Sequence, residues 1–259
     1  MTPLPDGLSP LGRVAQCMNF ERIGEKPPTL VTMDHRAVLV AAWAAKFEGR
    51  FDGRLPLLVR LDAHPDMGEK PRPWVWEKEQ LADLDTVHAI VNATRHDDGG
   101  WVIAAMQYGL AGDVATFFVH EYHRYPGDEG PYVDHLGDRH RLWSLPSVKH
   151  LIENSEKRRR CGELLDRLRE PDEPIWFDID LDFATNRHED GSPVAWRERD
   201  WAEMLDDASR ELLAGCLSRA KLVTIAMEPW FCGGVAECGG IAAGLKRAFA
   251  PYGDWFSRL

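Results

Sequence analysis

The stretch Leu57-Leu58-Val59-Arg60-Leu61-Asp62-Ala63-His64-Pro65-Asp66 ends a short apolar run in three side chains that can hold a metal ion. A run of this length, bounded by turn residues, predicts a β-strand, read here over residues 55–61. Residues two apart on a strand point the same way, so Asp62 and His64 face together, and Pro65 starts a turn that swings Asp66 back towards them. A second stretch repeats the device. In Trp176-Phe177-Asp178-Ile179-Asp180-Leu181-Asp182 the acids share one side of a strand read over 174–180, while Phe177, Ile179 and Leu181 pack into the core.

Outward from these two strands the chain alternates apolar runs with amphipathic or alanine-rich segments. Further strands are expected over 29–33, 114–119 and 222–227, and helices over 37–46, 101–110, 154–168, 200–218 and 236–249, with Asp200 as the N-cap of the fourth helix. Residues 121–141, rich in Gly, Pro, His and Asp, read as a surface excursion. Strands alternating with helices predict an α/β fold with a mostly parallel sheet, and 259 residues favour one domain over 1–259. In such sheets ligands bind at the carboxyl ends of the strands. Met33-Asp34-His35, Asp62 to Asp66, Asp178 with Asp180, and Glu228 each begin at or just past the end of an expected strand.

A row of inward-facing carboxylates is costly unless cations neutralise it. Four carboxylates and two imidazoles (His35, Asp62, His64, Asp66, Asp178, Asp180) are too many donors for one tetrahedral zinc. They suit two divalent cations bridged by shared carboxylates, and their oxygen-rich character favours manganese, with other divalent ions open. Two close cations acidify a shared water and supply hydroxide near neutral pH, so the expected reaction is hydrolysis at an electrophilic carbon. A calcium loop fails locally: after the third acid an EF-hand needs Gly, and here Phe183 and Ala184 follow. An aspartate-nucleophile phosphatase usually carries its motif on the first strand, whereas Asp178 lies past mid-chain. His120-Glu121-Tyr122-His123 lacks the spacing that would put two imidazoles on one helical face.

The net charge of -11, with no long run of Lys and Arg, argues against a nucleic-acid surface. Cys17, Cys161, Cys216, Cys232 and Cys238 are scattered and odd in number, which fits a reduced, cytoplasmic protein. The opening residues lack a signal-peptide pattern, and the longest apolar stretch, residues 37–45, is too short to span a bilayer. Neither export nor a membrane is expected.

With the donors assembled, the order of motifs resembles the arginase and deacetylase superfamily. Asp34-His35 is similar to the strand-to-helix turn carrying the first metal-binding His of arginases, although Thr32-Met33 stands where Gly-Gly is usual. A closer resemblance is to an arginase-like family that shares Asp-His, His64-Pro65-Asp66, the Trp-led segment Gly100-Trp101-Val102-Ile103, and Asp178-Ile179-Asp180-Leu181-Asp182-Phe183. It runs from about Thr29 to about Gly234, and some bacterial members are peptide arginases, which convert arginine in ribosomally made peptides to ornithine.

The resemblance implies a three-layer arginase-like fold. It places one ion on His35, Asp62, Asp66 and Asp178 and the other on His64, Asp62, Asp178 and Asp180. It makes Glu228 the partner of the substrate guanidinium and His96, with Asp98 behind it, the proton shuttle; Asp182 would orient a ligand. The substrate implied is an arginine-containing peptide. The alternatives are a deacetylase-like amide hydrolase, whose tandem His pair is absent, and a catalytically silent metal-binding partner protein. The oligomeric state is not legible.

Overall fold

The computed structural model describes Leu11, the backbone of 21–25, and residues 27–33, 35–64, 66–67, 100–119, 130–134, 137–187 and 191–259. Among the described residues eight strands form one sheet. In chain order these are β1 (Glu21–Glu25), β2 (Pro28–Thr32), β3 (Leu57–Leu61), β4 (Val114–Phe117), β5 (Gly130–Val133), β6 (Arg139–Leu145) and β7 (Ile175–Asp180), closed by β10 (Ala220–Ala226). Their order across the sheet is β1-β2-β10-β7-β3-β4-β6-β5. All neighbours are parallel except the two edge pairs, β1 with β2 and β5 with β6. β8 (Thr185–Arg187) and β9 (Pro193–Ala195) pair separately as a small antiparallel ladder.

Helices cover both faces, giving three layers. On one side α1 (Val38–Phe47) and α2 (Trp101–Gln107) lie over Leu30, Leu58, Val114, Trp176 and Leu222. α1 is apolar nearly all round and buried from Val38 to Ala45, as an interior helix must be. On the other side lie α3 (Val148–Glu153), α4 (Ser155–Arg160), α5 (Gly162–Arg167), α6 (Glu198–Met204), α7 (Asp207–Arg219) and, after a short α8 (Pro229–Cys232), α9 (Val235–Phe249). Leu151, Leu164, Trp201, Leu213 and Ile241 bring that layer down onto Val59, Phe177, Ile179 and Val223. No helix among the described residues is long and apolar enough to cross a membrane.

The α/β class and the mostly parallel sheet stand as expected, and three local readings are corrected. Residues 130–133 and 139–145 are not a surface excursion but an antiparallel hairpin at the sheet edge. Gly130 and Pro131 hide the strand signal and are tolerated because an edge needs no central ladder bond. The charged helix over 154–168 is two short ones, α4 and α5, with α3 just before them. Ser147 accepts from His150 N at 3.0 Å to start α3, and Asn154 accepts from Glu156 N and Lys157 N, both at 3.0 Å, to start α4. The helix over 200–218 breaks likewise. Asp206 caps α7 through Ser209 N at 2.9 Å, whereas Asp200 lies inside α6 and accepts from Arg197 N at 2.8 Å.

Candidate metal centre

The centre lies where β2, β3, β7 and β10 end. Register carries side chains to it: Thr224, Asp178, Arg60 and Thr116 are successive neighbours across β10, β7, β3 and β4. Alternation puts Arg60 and Asp178 on the face towards α1 and α2, while Val59, Leu61, Phe177 and Ile179 fill the opposite layer. Asp62 follows directly on β3, and a 3-10 turn, His35–Ala37, carries His35 off β2. Asp178 and Asp180 belong to β7, and Glu228 follows β10.

His35, Asp62, Asp66, Asp178, Asp180 and Glu228 are all buried, and His64 is partly exposed. His35 is the hub. Its Nε2 lies 2.8 Å from Asp178 Oδ2 and its Nδ1 2.9 Å from Asp180 Oδ2, with Asp66 Oδ2 at 3.6 Å and Asp62 Oδ2 at 4.0 Å from Nδ1. His64 Nδ1 is 2.7 Å from Asp182 Oδ2, the arrangement by which a carboxylate fixes a ring for ligation through its other nitrogen. Asp182 Oδ1 also accepts from Ala63 N at 3.2 Å, tying the two acid-bearing strands together. Glu228 Oε1 accepts from His35 N at 3.1 Å. Among the described residues, two groups have donor atoms within 4.8 Å of one another: His35 with Asp62 and Asp180, and Asp62 with His64 and Asp182.

Neither a scan against protein-family sequence models nor a search of the curated proteins finds a match. Among solved structures the chain is similar to a hypothetical agmatinase from Burkholderia thailandensis, at 17% identity and a TM-score of 0.47 over 89% of this chain and 59% of that one. It is similar to proclavaminate amidino hydrolase from Streptomyces clavuligerus at 13% identity and a TM-score of 0.45, over 86% of this chain and 63% of that one. Arginase from Bacillus subtilis gives 12% and 0.40, over 92% and 76%. The chain thus spans less than two thirds of the length of the first two.

The electrostatics test whether the donors suit a metal. Burial, then the charge of Asp182, pushes the Asp180 carboxyl up to about 6, although His35 opposes the shift. Burial also drives Asp62 up, against Arg60. Burial opposes charge on both imidazoles, yet Asp178 and Asp180 hold His35 well above its ordinary value and Asp182 holds His64 at about 8. Asp178 is held low against burial, by His35, Arg60 and a 2.6 Å hydrogen bond from Thr224 Oγ1, and Asp182 is held low likewise, by His64 and Ala63 N. Burial and neighbouring acids keep Asp62 and Asp180 raised even beside three basic groups. The donor chemistry therefore fits a divalent cation.

Two residues at the centre escaped the reading of the sequence as site residues. Arg60 is fully buried and hydrogen-bonds Asp62 and Asp66. Trp101 donates Nε1 to Asp66 Oδ2 at 2.8 Å and packs its ring on His35 at 4.8 Å. The signal for Arg60 was its position two before Asp62, hence on the same face; for Trp101 it was the Trp-led helix. Asp34, Pro65, His96, Asp98 and His120 to His123 lie outside the described residues.

Proposed function

We propose that the protein is a metal-dependent hydrolase of guanidino groups, acting on arginine within a peptide to give ornithine and urea. The observation that carries the reading is one rim that combines a buried, electron-rich donor cluster with a separate glutamate, Glu228, held against His35 by that residue's own N–H. A divalent cation there supplies Lewis acidity and lowers the pKa of water enough to give hydroxide near neutral pH. Manganese suits the oxygen-rich donors, and their number alone would accommodate two ions.

This chain's residues divide the remaining work. Glu228 is a carboxylate partner for a planar guanidinium, which it would orient by charge-assisted hydrogen bonds. Asp182 would hold the ring of His64 in place through its contact with Nδ1. Attack at the guanidinium carbon leaves an amine that needs a proton, and His96 backed by Asp98 is the proposed donor. A peptide is favoured over free arginine by two aromatic residues just beyond Glu228. Trp230, 91% exposed, and Phe231 form an apolar lip, and Phe231 meets the ring of His64 edge-on at 5.8 Å. The buried thiols of Cys161, Cys216, Cys232 and Cys238 support action in the cytoplasm, as one domain over 1–259.

The test is mass spectrometry of a manganese-loaded reaction on an arginine-containing peptide, run beside free arginine. Each modified arginine is expected to lose the mass of urea less water, and an Asp62→Ala, Asp178→Ala double variant to show no change. Acetate release from acetyl-lysine peptides without any urea would replace this reading with amide hydrolysis.

A further inference from the structure

Arg60 is the unexplained member of the centre. A guanidinium stays charged at any pH a protein meets, so full burial obliges it to find anionic acceptors. It finds three. Its Nη2 hydrogen-bonds Asp62 Oδ2 and Asp66 Oδ2, and its Nε lies 3.6 Å from Asp178 Oδ2. Trp101 closes the remaining side, with the Arg60 Cζ 4.8 Å from the ring centroid and the indole N–H on the same Asp66 oxygen. These three carboxylates are the ones that, with His35, the family resemblance puts around the first of two ions. His35 itself has both ring nitrogens on carboxylates, at 2.8 and 2.9 Å.

Resting on the metal-dependent reading above, we infer that the Arg60 guanidinium fills the first cation position, and that the chain holds a single divalent cation at the group Asp62, His64 and Asp182. A guanidinium and a dication cannot both take the inward oxygens of Asp62 and Asp66, because like charges would meet at contact distance in a buried setting. Nor does Arg60 have an exit among the described residues. Its neighbours along the sheet are Asp178 and Thr116, its own face is apolar towards α1 and α2, and swinging away would strand a bare charge there. The second group lies on the open side, where His64 is 26% exposed. Asp62 serves both positions, one oxygen on Arg60 and the other accepting from His64 N at 2.6 Å.

The experiment is metal content per chain by elemental analysis of the full-length protein after manganese loading and gel filtration, with electron paramagnetic resonance of the same sample. The expected result is one ion per chain with the spectrum of an isolated ion. Arg60→Met is expected to take up a second ion and show exchange coupling. His64→Ala should lose the ion that His35→Ala keeps. Two coupled ions in the unaltered protein would overturn the inference and leave the hydrolase reading standing. No bound ion at all would overturn both. An Arg60→Met variant that folds yet still holds one ion would also overturn it, as would retention by His64→Ala with loss by His35→Ala. Should Arg60→Met not fold, the count in the unaltered protein and the two histidine variants decide.

Discussion

Glu228 has φ of 35°, in the left-handed region and directly before Pro229, and Asp66 has φ of 47°. That conformation costs a non-glycine residue about 1–2 kcal/mol. Both residues meet the centre, so the strain coincides with the proposed function. Glu228→Gln preserves an oxygen that can accept the His35 N–H but removes the charge offered to a guanidinium. A hydrogen bond to a charged partner contributes about 1.5–3 kcal/mol. The expected result is a fall in kcat/KM of about 10- to 100-fold for urea release, carried mainly by KM, with an unchanged melting temperature. Trp101→Phe keeps the ring against His35 and Arg60 but deletes the donor to Asp66; urea unfolding should show a loss of about 1.5–3 kcal/mol, with the manganese content per chain unchanged. The two cases also differ in legibility. Asp62, His64, Asp178 and Asp180 were visible because strand periodicity aims them from within their own segment. The Trp101 contact joins residues 35 apart, which no local pattern reports. Arg60 was overlooked because a charged residue within a strand ordinarily faces water, and only the sheet register shows that this one cannot.

At the scale of elements the interior strands were the most legible. β3, β7 and β10 are apolar runs covered on both faces, so their sequence carries the signal unaided. The edge hairpin β5–β6 and the breaks between α3, α4 and α5 were not, because a half-exposed strand and a chain of short capped helices both look like charged surface. The break before α7 makes the point testable. Burial opposes charge on Asp206, but the hydrogen bond from Ser209 N outweighs it and holds the carboxyl below its ordinary value. A depressed carboxyl contributes stability above its ordinary value and loses it as pH falls through the depressed one. Asp206→Ala should therefore cost about 1 kcal/mol in urea unfolding at neutral pH, and the difference should shrink in acid. α9 offers a sharper contrast. A Cβ at Gly244 would run into the Trp201 ring of α6, whereas one at Gly239 meets nothing within 4 Å. Gly→Ala gains up to about 1 kcal/mol of helix propensity at either position. Overpacking costs about 1–3 kcal/mol or more, so Gly244→Ala should melt lower than the parent and Gly239→Ala slightly higher.

For the whole molecule, the buried acid cluster couples folding to both protons and metal, and the two couplings run in opposite directions. Asp180 is raised to about 6 by burial and by Asp182. Between the ordinary carboxylate range and that value the folded chain keeps a proton the unfolded chain has released, so the stability of the ion-free protein falls as pH rises through this window. His64 is held at about 8 against burial by its contact with Asp182. Its contribution is complete below the ordinary imidazole value and is lost as pH rises through about 8, the same downward trend. A divalent cation reverses this, because it binds ionised carboxylates and an unprotonated imidazole and so competes with the protons that stabilise the ion-free form. At free manganese about 100 times Kd the folded state gains about 2.7 kcal/mol, and each kcal/mol moves the melting temperature of a chain this size by about 2–4 °C. Melting curves with manganese and with a chelator, at fixed manganese across the span from about 6 to about 8, should therefore diverge. The manganese curve should hold or rise with pH while the chelated one falls. Parallel curves with a constant gap would mean that the ion is bound without displacing the His64 proton, and so away from His64.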